Sequence, residues 1–243
     1  MKIGLSIIFP VFNEEYRLDG SLDLIKKFLI NNKQFDLELI IIDDGSKDNT
    51  GIKINEFLKL NKGINIKYLK SSENKGKGNA LKLGVIEATK KWILTSDIDL
   101  SVKLEQINIW FEKYKINEDK YKVFFGSRNL SDSQVEKKIH RYFLGVIFNI
   151  LIKILFKVNI KDSQCGFKLY EGRVAKKIFA NLETLGFAHD IELINKINNL
   201  NIEIRELPVK WRHMPNSKLN IVIDPIKMLF EIIKIFIKSK KND

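Results

Sequence analysis

Two aspartates, Asp97 and Asp99, are separated by one residue and follow WILTS, an apolar run typical of a buried strand. Carboxylates in this position can both reach a hard divalent cation, whose remaining sites suit diphosphate oxygens and water. We therefore expect Asp97 and Asp99 to bind Mg²⁺ or Mn²⁺ together with a diphosphate. The alternative is an exposed acidic turn, because chance alone would supply about one such triplet in a chain of this composition.

Two other loops carry acidic or polar residues directly after predicted strands. The first reads PVFNE (10–14) and the second DDGS (43–46). In open parallel sheets, ligands bind beyond the carboxyl ends of the strands, so these loops and the Asp97 loop should meet at one edge. A cluster of acidic side chains at this edge indicates a binding site for a metal ion or for ribose hydroxyls. Each loop alone is equally compatible with helix capping by Asn13, Ser46 and Asp48.

The elements that must position these loops alternate along the first half of the chain. Apolar runs predict strands at Ile3–Phe9, Leu37–Ile42, Ile64–Leu69 and Trp92–Thr95. Helical patterns lie between them at Glu14–Ile30, Gly51–Leu60 and Gly78–Ala88. This alternation predicts an α/β fold with a mostly parallel central sheet flanked by helices. Neither a GxxxxGK[ST] motif nor a complete dinucleotide fingerprint is present in the sequence.

The composition is that of a globular, basic chain. Its 243 residues are 44% hydrophobic and 30% charged, with a formal net charge of +12. The positive excess predicts an anionic partner, such as a phosphorylated small molecule, an acidic membrane or nucleic acid. The single cysteine, Cys165, excludes an internal disulfide framework and a multi-cysteine metal site. We expect neither a signal peptide nor a transmembrane helix, because the apolar start is short and no long apolar run follows.

Several motifs, taken in chain order, resemble those of family 2 glycosyltransferases of the GT-A fold. They are IIFPVFNEE, IIDDGSKDNT, ENKGKGNALKLG, TSDIDLS, GSR (126–128), DSQCGFKLY (162–170), FAHDIEL (187–193) and NSKL (216–219). The later motifs look like those of the dolichyl-phosphate β-glucosyltransferases, and the related mannosyltransferases share much of the pattern. The resemblance covers residues 3–219 and implies a GT-A type nucleotide-sugar-binding domain.

The same resemblance implies positions for the donor and the metal ion. It places the nucleotide sugar against Pro10, Phe12, Glu14, Ile42, Asp44, Asp97, Ile98 and Asp99. Asp97 and Asp99 would also hold Mg²⁺ or Mn²⁺, and Ser101 stands where mannosyltransferase relatives carry a metal-binding glutamine. UDP-glucose is the favoured donor, and GDP-mannose is the alternative.

A polyprenyl phosphate of the dolichyl type is the acceptor that the resemblance implies. This acceptor is already anionic, so inverting transfer of a hexose to it needs cations more than a strong base. The residues expected to contact the acceptor phosphate and the diphosphate are Arg128, Lys168, Arg212 and Lys218. The catalytic candidates are Asp99, Asp190 and Arg128. Asp190 becomes the base if the acceptor is instead a hydroxyl on a glycan or lipid; otherwise it orients a sugar hydroxyl or a lysine.

Two basic amphipathic segments predict contact with a membrane surface. Polar positions recur at multiples of four within residues 139–158, and charged positions recur every three or four residues within 220–243. A basic stripe beside a broad apolar face is typical of an interfacial helix. The alternative is packing on the sheet or in a homodimer. We expect a GT-A domain over 1–219 and an interfacial helix over 220–243, in an enzyme bound peripherally to the cytoplasmic face of a membrane.

Two other classes of function remain open. A non-catalytic module could bind nucleic acid or anionic lipid through the net charge, but acid at the strand ends would repel a phosphate backbone, so we expect no nucleic-acid partner. A nucleotidyltransferase also uses an acidic metal site in an α/β sheet. The late motifs DSQCGFKLY and NSKL are not expected in that class.

Overall fold

The computed structural model describes residues 2–136, 152–156, 158–214 and 223–241, and within the last range it describes side chains for 227–240. The strands are β1 Ile3–Val11, β2 Phe35–Asp43, β3 Ile66–Lys70, β4 Trp92–Thr95, β5 Val123–Ser127, β6 Gln134–Val135, β7 Lys168–Glu171, β8 Ile204–Pro208 and β9 Lys210–Trp211. The helices are α1 Leu18–Asn31, α2 Thr50–Leu60, α3 Lys77–Glu87, α4 Gln106–Lys113, a segment α5 over 152–156, α6 Gly172–Ala180, α7 His189–Asn199 and α8 Ile223–Lys241.

The predicted α/β fold with a mostly parallel central sheet is confirmed. Seven strands form one sheet in the order β3-β2-β1-β4-β7-β5-β8, and β1 to β4 are mutually parallel. The departure from the parallel pattern is β7, which runs antiparallel to both β4 and β5. It returns the chain to the middle of the sheet, where Thr95 pairs with Lys168.

Two apolar layers cover the sheet, and the alternation of side chains along the strands determines which layer each residue joins. Leu5, Ile7 and Phe9 of β1 pack with the layer beneath α1, α2 and α4. Ile8 faces the opposite layer, beneath α3, α6 and α7. Burial of each such side chain contributes roughly 1.5–3 kcal/mol, so both layers hold the strand ends in fixed positions.

A small second sheet joins the middle of the chain to its later part. β6 pairs in parallel with β9, and Val102 forms an isolated bridge with Trp211. The backbone N–H of Arg212 donates to the carbonyl of Ser101 at 2.8 Å. These contacts bring the segment after β9 next to the loop that follows β4.

The helix α8 packs against the body of the protein along one face. Ile232 and Ile235 are buried in the layer that contains α7, and Phe236 contacts Phe156 of α5 edge to face at 5.9 Å between ring centroids. Of the predicted amphipathic segment 139–158, only 152–156 and 158 belong to the described residues. Within the described part of the chain, no helix is long and apolar enough to cross a membrane.

Candidate active site

An open cleft of about 640 Å³ lies beyond the carboxyl ends of β1, β2 and β4. This volume is in the range of small-molecule sites, about 300–1,000 Å³. Seven of the residues predicted to contact the nucleotide-sugar donor line this cleft: Pro10, Phe12, Glu14, Asp44, Asp97, Ile98 and Asp99. Ile42 is the exception, because its side chain is fully buried in the layer beneath α3 with Ile8. The structure therefore does not support a donor contact by the Ile42 side chain.

The loops after β1 and β2 are tied to each other, which gives this side of the cleft a fixed shape. The Asn13 N–H donates to the Ser46 hydroxyl at 2.8 Å, and the Lys47 N–H donates to the Asn13 amide oxygen at 2.8 Å. Asn13 has a positive φ of 53°, which asparagine tolerates better than most residues. The hydrogen bonds of Asn13 and Ser46 thus link the two loops to each other. The alternative prediction for these two residues was helix capping. Asp48 does accept a hydrogen bond from the Thr50 N–H at 3.0 Å, at the start of α2.

The buried carboxylate of Asp44 fixes the loop that leads into α3. Its two oxygens accept hydrogen bonds from the N–H groups of Lys75 and Gly76 at 3.0 and 2.7 Å. Gly76 has a φ of +103°, and a Cβ there would lie 2.4 Å from the Leu185 carbonyl oxygen. Only glycine fits this turn, which places the next residue, Lys77, at the cleft.

Asp97 forms a close ion pair with Lys77. The Lys77 ammonium donates to Asp97 Oδ1 at 2.5 Å, and the Asp97 side chain remains 37% exposed. Asp97 Oδ2 lies close to Gly166. A Cβ at Gly166 would be 2.2 Å from this oxygen. Burial opposes ionisation of Asp97, but Lys77, followed by Lys168 and Arg128, outweighs it and holds the pKa of the carboxyl below its usual value.

Asp99 is linked to the donor side of the cleft by an arginine. Its Oδ1 accepts the Ser101 N–H at 2.9 Å, and Arg17 Nη1 lies 3.7 Å from its Oδ2. The same guanidinium donates to both carboxylate oxygens of Glu14 at 2.7 Å. Arg17 therefore fixes the positions of Glu14 and Asp99, two residues predicted to bind the nucleotide sugar, relative to each other. Arg17 also lines the cleft.

Asp190 lies behind this site in an enclosed cavity of about 10 Å³ that also includes Lys77 and Asp97 in its lining. Its Oδ1 lies 2.5 Å from the ammonium of buried Lys168, which also donates to the Ser163 carbonyl at 3.1 Å. The cavity has room for about one water molecule, so a sugar cannot enter it. Direct contact between Asp190 and an acceptor is not supported by this placement.

The charge of Asp190 is stabilised by its neighbours. Burial opposes its ionisation, but His189, Lys168 and Lys77 outweigh burial and lower the pKa of the carboxyl. His189 Nε2 lies 3.2 Å from Asp190 Oδ1, and its Nδ1 lies 2.8 Å from the Gly186 carbonyl oxygen. Burial lowers the pKa of His189, helped by the nearby lysines and opposed by Asp190. A carboxylate with a lowered pKa is a weak base, which suits an orienting role better than proton abstraction.

Of the remaining predicted phosphate contacts, Arg128 and Lys168 each line a cavity together with Asp97. Arg128 forms a bidentate ion pair with buried Asp162, with hydrogen bonds of 2.7 and 2.8 Å. Arg128 and Asp97 both line a cavity of about 30 Å³. Lys168 is buried and lines the cavity of about 10 Å³ together with Asp97 and Asp190. Arg212 is exposed, with its Nε 3.6 Å from Glu136 Oε1. Lys218 lies outside the described residues.

Three cations that line the cleft were missed by the sequence analysis. They are Arg17, Lys77 and Lys227. Lys77 belongs to the quoted motif ENKGKGNALKLG, directly before the predicted helix at Gly78, so a signal was available. Arg17 was hidden within a predicted helix, and Lys227 within the C-terminal segment. Their approach to the cleft depends on tertiary packing that no local pattern reports.

The donor atoms at the cleft fit a metal ion that is shared with a ligand. Within the described ranges, no group of three or more histidine, cysteine, aspartate or glutamate side chains is placed to hold a metal ion. Asp97 and Asp99 supply two carboxylates that remain 37% and 24% exposed. Hard cations take six or more oxygen ligands, so water and a bound ligand such as a diphosphate can complete the coordination that these two carboxylates begin.

A mostly parallel α/β sheet, with an Asp-x-Asp loop in a cleft at its strand ends, is typical of glycosyltransferases of the GT-A fold. Residues 6–179 match the profile described as Glycosyl transferase family 2. The chain therefore belongs to glycosyl transferase family 2, as the motifs predicted.

Within this family the chain is similar to dolichyl-phosphate β-glucosyltransferases. It is 35% identical to that of Dictyostelium discoideum and 32% identical to that of Saccharomyces cerevisiae, in each case over 96% of this chain and 74% of the relative. A solved structure with the same fold is glucosyl-3-phosphoglycerate synthase from Mycobacterium tuberculosis in complex with Mn²⁺ and UDP-glucose. Its TM-score is 0.69 at 16% identity, over 96% of this chain and 79% of that one.

Proposed function

We propose that this protein transfers glucose from UDP-glucose to a polyprenyl phosphate of the dolichyl type, with inversion at the anomeric carbon. The observation that carries the proposal is the cleft in which Asp97 and Asp99 lie among cations. Similarity to dolichyl-phosphate β-glucosyltransferases over 96% of the chain supports the choice of donor and acceptor. GDP-mannose is the donor to test in parallel.

A divalent cation fits the carboxylates of Asp97 and Asp99. When bound, it neutralises the charge that grows on the leaving diphosphate. The solved relative contains Mn²⁺, and we propose that Mn²⁺ or Mg²⁺ serves here. Arg17 would keep Glu14 and Asp99 in register, so that the nucleoside and diphosphate portions of the donor are bound at a fixed separation.

The described residues suit an anionic acceptor better than a hydroxyl. A phosphate monoester needs positive charge to approach a diphosphate. Lys77 and Lys227 line the cleft, and Arg128 lies beside Asp97. A hydroxyl acceptor needs a general base, but Asp190 is buried and paired with Lys168. We therefore assign Asp190 to the orientation of Lys168.

The reaction is tested by incubating the full chain with Mn²⁺, a short polyprenyl phosphate and labelled UDP-glucose, followed by organic extraction. We expect label in an acid-labile lipid, and its loss in Asp99→Asn. Asp36→Asn is the matched control, because Asp36 is exposed and pairs with Lys90 away from the cleft. UDP-glucose binding without any lipid product would contradict the phosphate acceptor.

The hydroxyl-acceptor alternative is separated by Asp190→Asn. Loss of a general base costs about 10²–10⁴-fold in rate. With a phosphate acceptor we expect less than about a tenfold loss in kcat/KM per folded molecule. A loss of several orders of magnitude in folded protein would favour the hydroxyl acceptor.

We infer further that α8 lies on an anionic membrane surface. One face of the helix is buried through Ile232 and Ile235. The outward face exposes Phe230 and Ile237, which are 62% and 52% accessible.

Helical spacing places Lys227, Lys234 and Lys238 in a stripe beside this apolar face. Apolar area next to lysines matches the interface of an anionic bilayer. Because Lys227 also lines the cleft, this orientation would open the site toward a lipid-linked acceptor.

Sedimentation with phosphatidylserine vesicles tests the membrane face. We expect the double variant Phe230→Ser, Ile237→Ser to pellet several-fold less than the unaltered chain. Ile52→Ser is the matched control, because Ile52 is an exposed isoleucine on α2, with 59% accessibility. Unchanged sedimentation of the double variant would overturn the inference. If the double variant instead converts a dimer to a monomer, the apolar face is a homodimer contact.

A further inference from the structure

A small cavity of about 30 Å³ lies beside Asp97, which also lines the open cleft. The loop after β4 contributes Asp97 and Ser101 to the lining of this cavity, and the loop before β7 contributes Gln164. Arg128, which directly follows β5, also lines it. The cavity has room for about two water molecules, so it can take oxygen atoms of a small polar group but not a sugar ring.

The side-chain amide of Gln164 is the unusual feature of this cavity. Its Nε2 is buried, yet no group in the described ranges accepts a hydrogen bond from it. The backbone is fixed here, because the Gln164 N–H donates to Asp162 Oδ1 at 3.2 Å and the next residue, Cys165, is buried. Native proteins leave few buried donors unpaired, since each one costs stability. The terminal torsion of a glutamine side chain is broad, so the amide can turn toward a ligand in the cavity.

The groups around the cavity favour a ligand that accepts several hydrogen bonds and carries negative charge. The ion pair of Arg128 with Asp162 uses Nε and Nη2, and the guanidinium has further N–H donors on Nη1. The Ser101 hydroxyl can also donate. A phosphate monoester offers charged terminal oxygens that accept hydrogen bonds, whereas a sugar hydroxyl carries no charge. The acidic residue of the lining, Asp97, is a proposed metal ligand, and a bound divalent cation would offset its charge.

We propose that Gln164 donates a hydrogen bond from Nε2 to a terminal oxygen of the acceptor phosphate, which lies between this amide and the Arg128 guanidinium. The assignment rests on the proposed function, in which a polyprenyl phosphate is the acceptor. It makes Gln164 a residue that selects an anionic acceptor, because an amide N–H pairs with an oxyanion more strongly than with a neutral hydroxyl. The nitrogen that lacks a partner in the free protein gains one when the acceptor binds.

The expected effects follow from one hydrogen bond to a charged group, which is worth about 10- to 100-fold in affinity. Gln164→Met keeps the length of the side chain and removes both amide donors, so the acceptor should bind about 10- to 100-fold more weakly. Gln164→Glu places a negative charge against the phosphate and should weaken binding by more than about 100-fold. The melting temperature of Gln164→Met should not fall, because Nε2 makes no hydrogen bond within the described residues.

The experiment measures binding to the full chain by isothermal titration calorimetry. The probe is citronellyl phosphate, a short polyprenyl-type monoester, titrated in the presence of Mn²⁺ and UDP, a combination that cannot transfer a sugar. The affinity for UDP with Mn²⁺ and the affinity for inorganic phosphate are measured in parallel. Gln34→Met is the matched control, because Gln34 is exposed and its amide contacts Asn32 and Asn108 away from the cleft. All affinities of this control should stay within about twofold of those of the unaltered chain.

The three affinities separate the possible outcomes. Weaker binding of citronellyl phosphate with unchanged binding of UDP supports the proposal. If only UDP binding weakens, Gln164 serves the donor, and if no affinity changes in folded protein, the amide is not used; both results overturn the proposal. A lower melting temperature with equal weakening of every ligand would overturn it as well, because Gln164 would then only maintain local structure. Gln164→Ala is the second variant should Gln164→Met fail to fold.

Failure of the proposed function can be told apart from failure of this assignment. If the unaltered chain binds UDP but not citronellyl phosphate, the polyprenyl phosphate acceptor is wrong. The inorganic phosphate titration then decides the role of Gln164. Weaker phosphate binding in Gln164→Met would retain the contact with a phosphate oxygen, whereas unchanged or absent phosphate binding would overturn it.

Discussion

Gly166→Ala would place one methyl group against the carboxylate of Asp97. A Cβ at Gly166 lies 2.2 Å from Asp97 Oδ2 and 2.7 Å from its Cγ, whereas ordinary contact begins at 3.4 Å. Relief needs a displacement of about 3.4 − 2.2 = 1.2 Å. The backbone at Gly166 is outside the left-handed region, so alanine itself is unstrained there. Because Cys165 and Phe167 on either side are buried, the partly exposed carboxylate is the group that moves.

A shift of this size is large for a group that binds a metal ion and a diphosphate. Misplacement by about 1 Å costs on the order of 10²-fold in rate. We therefore expect kcat/KM for transfer from UDP-glucose to fall about 100-fold in Gly166→Ala, which corresponds to about 2.7 kcal/mol of transition-state stabilisation. The melting temperature should change little, because no core contact is removed.

The measurement is kcat/KM in the lipid-extraction assay, with a thermal melt of each variant. Gly20→Ala is the control: no atom lies within 4 Å of a Cβ at Gly20. Gly20 lies in the first turn of α1, where alanine should stabilise the chain by less than about 1 kcal/mol and leave kcat/KM unchanged. A folded Gly166→Ala variant with kcat/KM within threefold of the unaltered chain would refute the inference that glucose transfer depends on the position of the Asp97 carboxylate.

Three further outcomes are expected. Asp190→Asn should lower the free energy of unfolding by about 3 kcal/mol, because Lys168 would stay buried without its counter-ion; denaturant titration measures this, and a change below 1 kcal/mol would contradict it. Burial raises the pKa of Asp162, but Arg128 outweighs burial and lowers it below the usual 3.8. The stability from this pair should therefore be fully present above pH 3.8 and be lost as pH falls through the lower folded-state value, so the stabilities of the unaltered chain and Asp162→Asn should converge in acid. Ile232→Ala should cost about 2–4 kcal/mol because its side chain is fully buried, whereas Phe230→Ala should cost less than about 1 kcal/mol; equal costs would mean that α8 packs differently.

The parallel half of the sheet could be predicted because its signals are local. Apolar runs separated by helical periodicity located β1 to β4 and α1 to α3, and Trp92–Thr95 has the predicted ends. The first helix begins later than predicted, at Leu18 instead of Glu14, because Glu14 belongs to the loop that meets Arg17. The antiparallel insertion of β7 could not be predicted from local signals. Its place depends on pairing with β4 and β5, which are distant in sequence.

The candidate site was predictable to the extent that strand ends determine it. Asp97 and Asp99 follow a strand in the sequence, and the topology of a parallel sheet brings their loop to the cleft. The burial of Asp190 and the approach of Lys77 to Asp97 depend on how the loop before α7 packs against α3. Composition and spacing contain no information about that contact.

The position of β7 has a consequence for the order of folding. The strands β1 to β4 come from the first 95 residues, yet β4 gains its other neighbour only when Thr95 pairs with Lys168, which lies far along the chain. Pairings of such large sequence separation form slowly. An intermediate with β1 to β4 assembled would expose the edge of β4, a surface prone to association with other chains. In such an intermediate, Asp97 would also lack the charge of Lys168, one of the cations that lowers its pKa in the folded protein.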